Sequence, residues 1–170
     1  MDTSKVLVAT IDKTVWIKVI GRGSFQNSGG IKSFVRHMMD QGVREFVMDL
    51  ENCEMMDSTF MGTLAGISLR LKELGQGNLR TVHTNRRNRE LLENLGLDRI
   101  IDVEAHRAED APHIETMTES SLEGTDPAHQ TILSAHKALV EVNPENAARF
   151  QDLLEVLQSE ETQSSGDGKA

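Results

Sequence analysis

Tyrosine is absent from this chain of 170 residues, cysteine and tryptophan occur once each, and proline occurs only three times. With Cys53 alone, neither an internal disulfide nor a thiolate zinc cage can form, which fits a reducing compartment. The thiol is expected as a small buried apolar group. No apolar run approaches the roughly 20 residues that span a bilayer, and the opening MDTSKVLVATIDK lacks the basic-then-apolar design of a signal peptide. A cytoplasmic protein is therefore expected. Positive charge is also short. A net charge of −9 argues against nucleic-acid binding, because phosphate contacts need clustered Lys and Arg to release counterions. The deficit is local: residues 1–103 carry 14 Lys and Arg against 13 Asp and Glu, whereas residues 104–170 carry 4 against 14. The two parts should differ in role, and the length suits one core plus an extension.

What is present reads as alternating strands and helices. Residues 6–20 hold two β-like runs, VLVAT and TVWIKVI, separated by a turn at Asp12-Lys13. Ile31, Phe34, Val35, Met38 and Met39 then follow helical spacing up to Gly42, and REFVMDL at 44–50 is a strand. From Ser58, the stripe Phe60, Leu64, Ile67, Leu71 and Leu74 predicts an amphipathic helix stopped by Gly75. A strand at Leu79–Thr84, a helix at Arg86–Leu95 between Asn85 and Gly96, and a strand at Asp98–Val103 complete the order β-β-α-β-α-β-α-β. Such alternation predicts an α/β domain over 1–103, a sheet parallel apart from its opening hairpin and covered by helices. No internal repeat is visible. Residues 104–126 are polar and acidic and read as a linker. Asp126-Pro127 and Asn143-Pro144 each look like a cap followed by proline at the first helical position, which predicts a helical hairpin over 127–158. Its stripes are Ile132, Leu133, His136, Leu139, Val140 and Ala147, Phe150, Leu153, Leu154, Leu157. Residues 159–170 are expected to be a disordered tail.

Ser58 stands at a predicted helix start. There a hydroxyl can cap the helix, and a phosphate would meet unpaired N–H groups and the positive end of the dipole. A plain capping role for Ser58 or Thr59 would explain the residues as well. Asp57-Ser58-Thr59, followed by Gly62 and an apolar helix and preceded by a strand ending Met48-Asp49-Leu50, resembles the signature of the STAS domain of anti-anti-sigma factors and some transporter tails. That signature reads Asp-Ser-Ser/Thr-Gly-apolar-Gly. The resemblance spans residues 6–103 and implies a STAS-type sheet with a C-terminal helical extension. It implies phosphorylation at Ser58, with Thr59 the second choice, and a partner-binding face of Gly21, Arg22, Ser24, Asp57, Ser58, Thr59, Phe60 and Met61. The implied mechanism is partner switching with an anti-sigma factor that is also a serine kinase, reset by a serine phosphatase. Two other roles fit the resemblance: a permanent STAS subunit of a transport ATPase or signalling assembly, and a nucleotide-binding regulator. Two departures stand out. Phe60 replaces the first motif glycine, which would put bulk beside the hydroxyl, and Gly21-Arg22-Gly23-Ser24 replaces an acidic turn.

Nothing else in the chain demands catalysis, a cofactor or a metal. Gly21-Arg22-Gly23 is too short for a phosphate loop and lacks its Lys-Ser/Thr pair. The histidines (His37, His83, His106, His113, His129, His136) are scattered. Only His129 and His136 could share a helix face, without a known ligand spacing, and they read as surface or interface residues. Arg86, Arg87 and Arg89 form one basic cluster, read as a solvated first helical turn that could alternatively meet an acidic surface such as the chain's own tail. Trp16 is expected in the core, and the eight methionines suit an adaptable core or binding face. The C-terminal helices could support an oligomer.

Overall fold

A computed structural model describes residues 3–105 and 108–166; His106 and residues 167–170 of the expected tail lie outside the described residues. Strands β1 (Lys5–Ile11) and β2 (Thr14–Gly23) form the expected antiparallel hairpin. Its two turn residues, Asp12 and Lys13, both take positive φ (49° and 68°), the backbone sense that matches strand twist in a two-residue turn. β3 (Glu45–Asp49) runs parallel to β2, β5 (Asn78–Val82) parallel to β3, and β6 (Asp102–Val103) parallel to β5. The sheet order is β6-β5-β3-β2-β1-β7, with β7 at Thr118–Glu119, and a short β4 (Cys53–Met56), expected as loop, pairs with the end of β2. Helices α1 (Phe25–Asp40), α2 (Ser58–Glu73) and α3 (Arg86–Asn94) match the predicted ones, Asn85 capping α3. The last predicted strand starts late, because a 3-10 turn at Leu97–Arg99 takes its first residues.

Alternate strand residues face opposite sides of the sheet. Val15, Ile17, Val19, Phe46, Met48 and Leu79 face the helices and join Ile31, Val35, Phe60, Leu64, Leu71 and Leu92 in the main core. The other face carries Trp16, Val47 and Val82. That face needs a cover, and the segment expected as a linker supplies it. Ala108 is buried there, with Ala111 and Met117 packed alongside, and β7 (Thr118–Glu119) pairs antiparallel with β1. The Arg80 guanidinium lies 5.5 Å from the centre of the Trp16 ring and reaches Glu104 at 3.4 Å and Asp110 at 3.6 Å. So residues 104–105 and 108–119 are held by their few apolar side chains and by the carboxylates of Glu104 and Asp110.

The C-terminal helices also differ from expectation. α4 (Ala128–Val142) begins after Pro127 with no side-chain cap, and α5 (Asn146–Gly166) begins after Pro144 and carries the helix through residues 159–166 of the expected disordered tail. The hydroxyls there fold back onto the helix: Ser159 Oγ donates to Glu155 O (2.8 Å) and Thr162 Oγ1 to Gln158 O (3.0 Å). α4 packs directly along α2, where Gly62 and Gly66 let it approach. A Cβ on Gly62 would fall 2.3 Å from Ala135 O. Asn146 closes the α4–α5 turn by donating from Nδ2 to Leu139 O (2.8 Å) and Leu95 O (3.0 Å), which ties it to the end of α3. Asp126 meets Lys32 (3.2 Å) and Arg36 (3.6 Å) of α1. Leu139 and Ala138 are part of the main core, so these helices share it.

Candidate functional site

Asp57 caps α2 and joins it to α1. Its Oδ1 accepts from Phe60 N–H (2.8 Å) and its Oδ2 from Phe25 N–H (2.9 Å), while its own N–H donates to Gly23 O (2.8 Å). Ser24 caps α1 through a capping box with Asn27: Ser24 Oγ accepts from Gln26 N–H (3.2 Å) and Asn27 Oδ1 from Ser24 N–H (3.0 Å). Two helix N-termini therefore converge on one carboxylate. Around them Gly21 turns the chain at φ +91°, Arg22 is exposed and donates its backbone N–H to Ser4 Oγ (2.9 Å), and Phe25 is 52 % exposed.

Five of the expected face residues, Gly21, Arg22, Ser24, Asp57 and Ser58, are exposed or half-buried at this corner. Thr59, Phe60 and Met61 are not available to a partner. All three are buried, and Phe60 is fully so, because its ring lies under Gly23, where a Cβ would come within 2.7 Å of it. The bulk at position 60 thus fills the core and leaves the surface beside the hydroxyl unchanged. Burial also removes Thr59 as an accessible acceptor.

Ser58 is the first residue of α2, and its Oγ lies 2.9 Å from His136 Nε2 on α4. His136 Nδ1 lies 2.7 Å from Ile132 O, which can only accept, so Nδ1 carries the ring proton. In the neutral ring Nε2 then accepts from the Ser58 hydroxyl. Phe150 of α5 meets the imidazole edge-on at 4.8 Å, and His136 is 1 % exposed. For His136, read as a surface or interface residue, the surface alternative is overturned, since the ring is buried in the contact between α2 and α4. Its signal was its place in the stripe between Ile132 and Leu139, four residues after one and three before the other, where the polar member of an apolar seam must find a partner. His129, its proposed companion, is not part of this contact.

A second polar cluster sits on the other face of the sheet. Lys18 and Asp49 are both buried; Lys18 Nζ reaches Asp49 Oδ2 and Glu51 Oε2 at 3.2 Å each. His83, in a left-handed backbone (φ 54°), donates from Nδ1 to Asp49 Oδ1 (2.9 Å) and accepts at Nε2 from Ala108 N–H (3.1 Å). Burial alone would push the Asp49 carboxyl up, but the bonds from His83 and Glu51 N–H and the Lys18 ammonium outweigh it and hold the carboxyl below its ordinary range. Asp49, Glu51 and His83 have the ligand types of a cation site. The Lys18 ammonium already bridges the two carboxylates, and both ring nitrogens of His83 are engaged. Cys53 is buried as expected, and burial pushes its thiol up. Among the described residues Arg86 pairs with Glu90 of its own helix (3.0 Å), both well exposed, in keeping with a solvated turn.

Comparison with known proteins places this geometry. No curated protein matches the chain in sequence. Among solved structures, a Thermotoga maritima protein assigned as an anti-sigma factor antagonist aligns over 57 % of this chain and 83 % of its own, with 21 % identity and a TM-score of 0.53. The anti-sigma factor antagonist SpoIIAA in its unphosphorylated form aligns over 62 % and 91 %, with 19 % identity and a TM-score of 0.52. The Bacillus cell fate determinant SpoIIAA in its phosphorylated form aligns over 62 % and 93 %, with 18 % identity and a TM-score of 0.52. At these identities the likeness is one of fold. The STAS domain model matches residues 5–110, and with the strand order and the Asp57-Ser58 helix start in place, the chain belongs to the STAS domain family.

Proposed function

We propose that this chain is a cytoplasmic protein-binding module whose partner choice is switched by phosphate on Ser58. In this reading the unmodified domain binds an anti-sigma factor that is also a serine kinase, and so frees a sigma factor; phosphate on Ser58 breaks the complex and a serine phosphatase restores it. The observation that carries the reading is the placement of Ser58 as the first residue of α2, beside the carboxylate that gathers two helix starts. A phosphate adds about −1.5 to −2 charges and three acceptor oxygens, a change that alters any contact made at that corner. SpoIIAA, solved in both phosphorylated and unphosphorylated forms, is a fold relative for which such a state exists. The chemistry belongs to the kinase and phosphatase, and the chain itself needs no catalytic group. Affinity capture of the wild-type, Ser58→Ala and Ser58→Asp proteins, with mass spectrometry of Ser58 and of the captured partner, tests it. The expected outcome is a phosphorylated fraction at Ser58 and a partner retained by Ser58→Ala but lost by Ser58→Asp. Equal capture by the two variants would reject the switch.

A further inference from the structure

The hydroxyl at the centre of this reading is already engaged by the chain's own C-terminal helix. Ser58 Oγ to His136 Nε2 is the one side-chain hydrogen bond joining α2 to α4 among the described residues. The rest of that seam is small and apolar: Ala135 lies over Gly62, and Ala138 lies 4.0 Å from where a Cβ on Gly66 would stand. Leu133, Ala135, Ala138 and Leu139 are all buried on α4. The imidazole is clamped by Ile132 O on one side and the Phe150 ring on the other. It has little room to step aside while α4 stays docked.

We infer that α4 is the in-chain occupant of the Ser58 face, and that phosphate on Ser58 and docking of α4 exclude one another. With Oγ pointing at Nε2 as it does here, a phosphoryl group takes the volume that the His136 ring fills, and brings a dianion to the edge of a seam lined by Ala, Gly and Leu. No Lys or Arg of the described residues bonds to Ser58 or His136 to offset that charge, so repulsion and desolvation fall on the α2–α4 contact. In the unmodified chain the partner-binding corner is composite, Arg22, Ser24 and Asp57 beside a docked α4. The phosphate dismantles it by releasing the helix. The seam then exposed carries Gly62 and Gly66 on α2 and Ala135, Ala138 and Leu139 on α4. This rests on Ser58 as the phosphate acceptor but requires no identified partner.

The test uses the full chain with phosphoserine installed at position 58 during synthesis, compared with unmodified protein by amide hydrogen exchange. Exchange over 128–142 should accelerate roughly tenfold or more, while strands β2 and β3 keep their protection, as expected for local release of one unit. Ser58→Ala, which removes a single hydrogen bond, should accelerate it only a few-fold. A second form places a disulfide across the seam, Gly66→Cys with Ala138→Cys, where the Cβ separation of 4.0 Å lies in the bonding range. Oxidised, this form should keep α4 protected despite the phosphoserine, and reduction should restore release. Unchanged protection of α4 in the phosphoserine chain would overturn the inference, since it would mean that the phosphate and the docked helix coexist. Equal acceleration in α4 and the central strands would overturn it too. Because neither form involves a partner, a failed capture experiment leaves these outcomes readable.

Discussion

A single carboxylate, Asp57, sets the geometry of the site by accepting from the first turns of two helices. Helix capping of this kind is worth about 0.5–2 kcal/mol per cap, and here it also fixes the angle between α1 and α2. The neighbouring Phe60 works from beneath. Fully buried under Gly23, it links the end of β2 to the start of α2. Phe60→Ala should therefore cost about 3–5 kcal/mol, read as a lowered midpoint in urea unfolding, because removing a fully buried ring leaves a cavity in the core. A loss below about 1 kcal/mol, as for a surface substitution, would show that the ring is not part of the core. His136 belongs to the same scale. A histidine in an apolar stripe is satisfied here by one carbonyl and one hydroxyl, and that hydroxyl is the residue the family signature singles out.

At the level of elements, the C-terminal helices are the part of the chain whose removal should matter most. Deleting residues 127–170 bares the seam along α2 and takes Leu139 and Ala138 out of the main core. The truncated chain should keep its strands folded but melt at a clearly lower midpoint and aggregate more readily on heating. A clean melt with an unchanged midpoint would show instead that the extension is separable. Apart from β4 and the late start of β6, the strands and helices of residues 5–103 were legible because each carries its own period: two in TVWIKVI, three and four along Phe60, Leu64, Ile67 and Leu71. The helical character of α4 was legible for the same reason. Its docking site was not, because what marks it is the absence of side chains at Gly62 and Gly66, and a glycine inside a helix has no periodicity to read. Residues 104–119 escaped notice for a related reason. Their hold on the sheet depends on Ala108, Ala111 and Met117, too few and too small to register against a polar background. Of the site, Asp57 and Ser58 could be found from the motif. His136 could not be assigned, since its partner lies 78 positions away.

Across the whole molecule, the uneven charge becomes complementary. Glu104 and Asp110 meet Arg80, and Asp126 meets Lys32 and Arg36, so part of the acidity of the last third is matched by cations of the first. The buried pair Lys18–Asp49 has a defined acid dependence. The folded Asp49 carboxyl titrates below its ordinary value, so its contribution to stability is fully present above about pH 4 and is lost as the pH falls through the lower folded value. Asp49→Asn should cost about 3–5 kcal/mol at neutral pH by leaving Lys18 with weaker compensation, and should flatten the decline in stability below about pH 4. Urea midpoints over a pH series measure both; an acid limb identical to that of the wild type would refute the assignment. Trp16 adds a consequence of another kind. It is the sole indole in a chain without tyrosine, 2 % exposed, and it faces away from α2 and α4. The intrinsic ultraviolet emission of the protein is thus a one-point optical reporter of the sheet's far side. It will brighten or shift when residues 108–117 lift away, and stay dark to events at Ser58, so a spectral change on adding a partner would map that partner's footprint to the opposite side of the molecule.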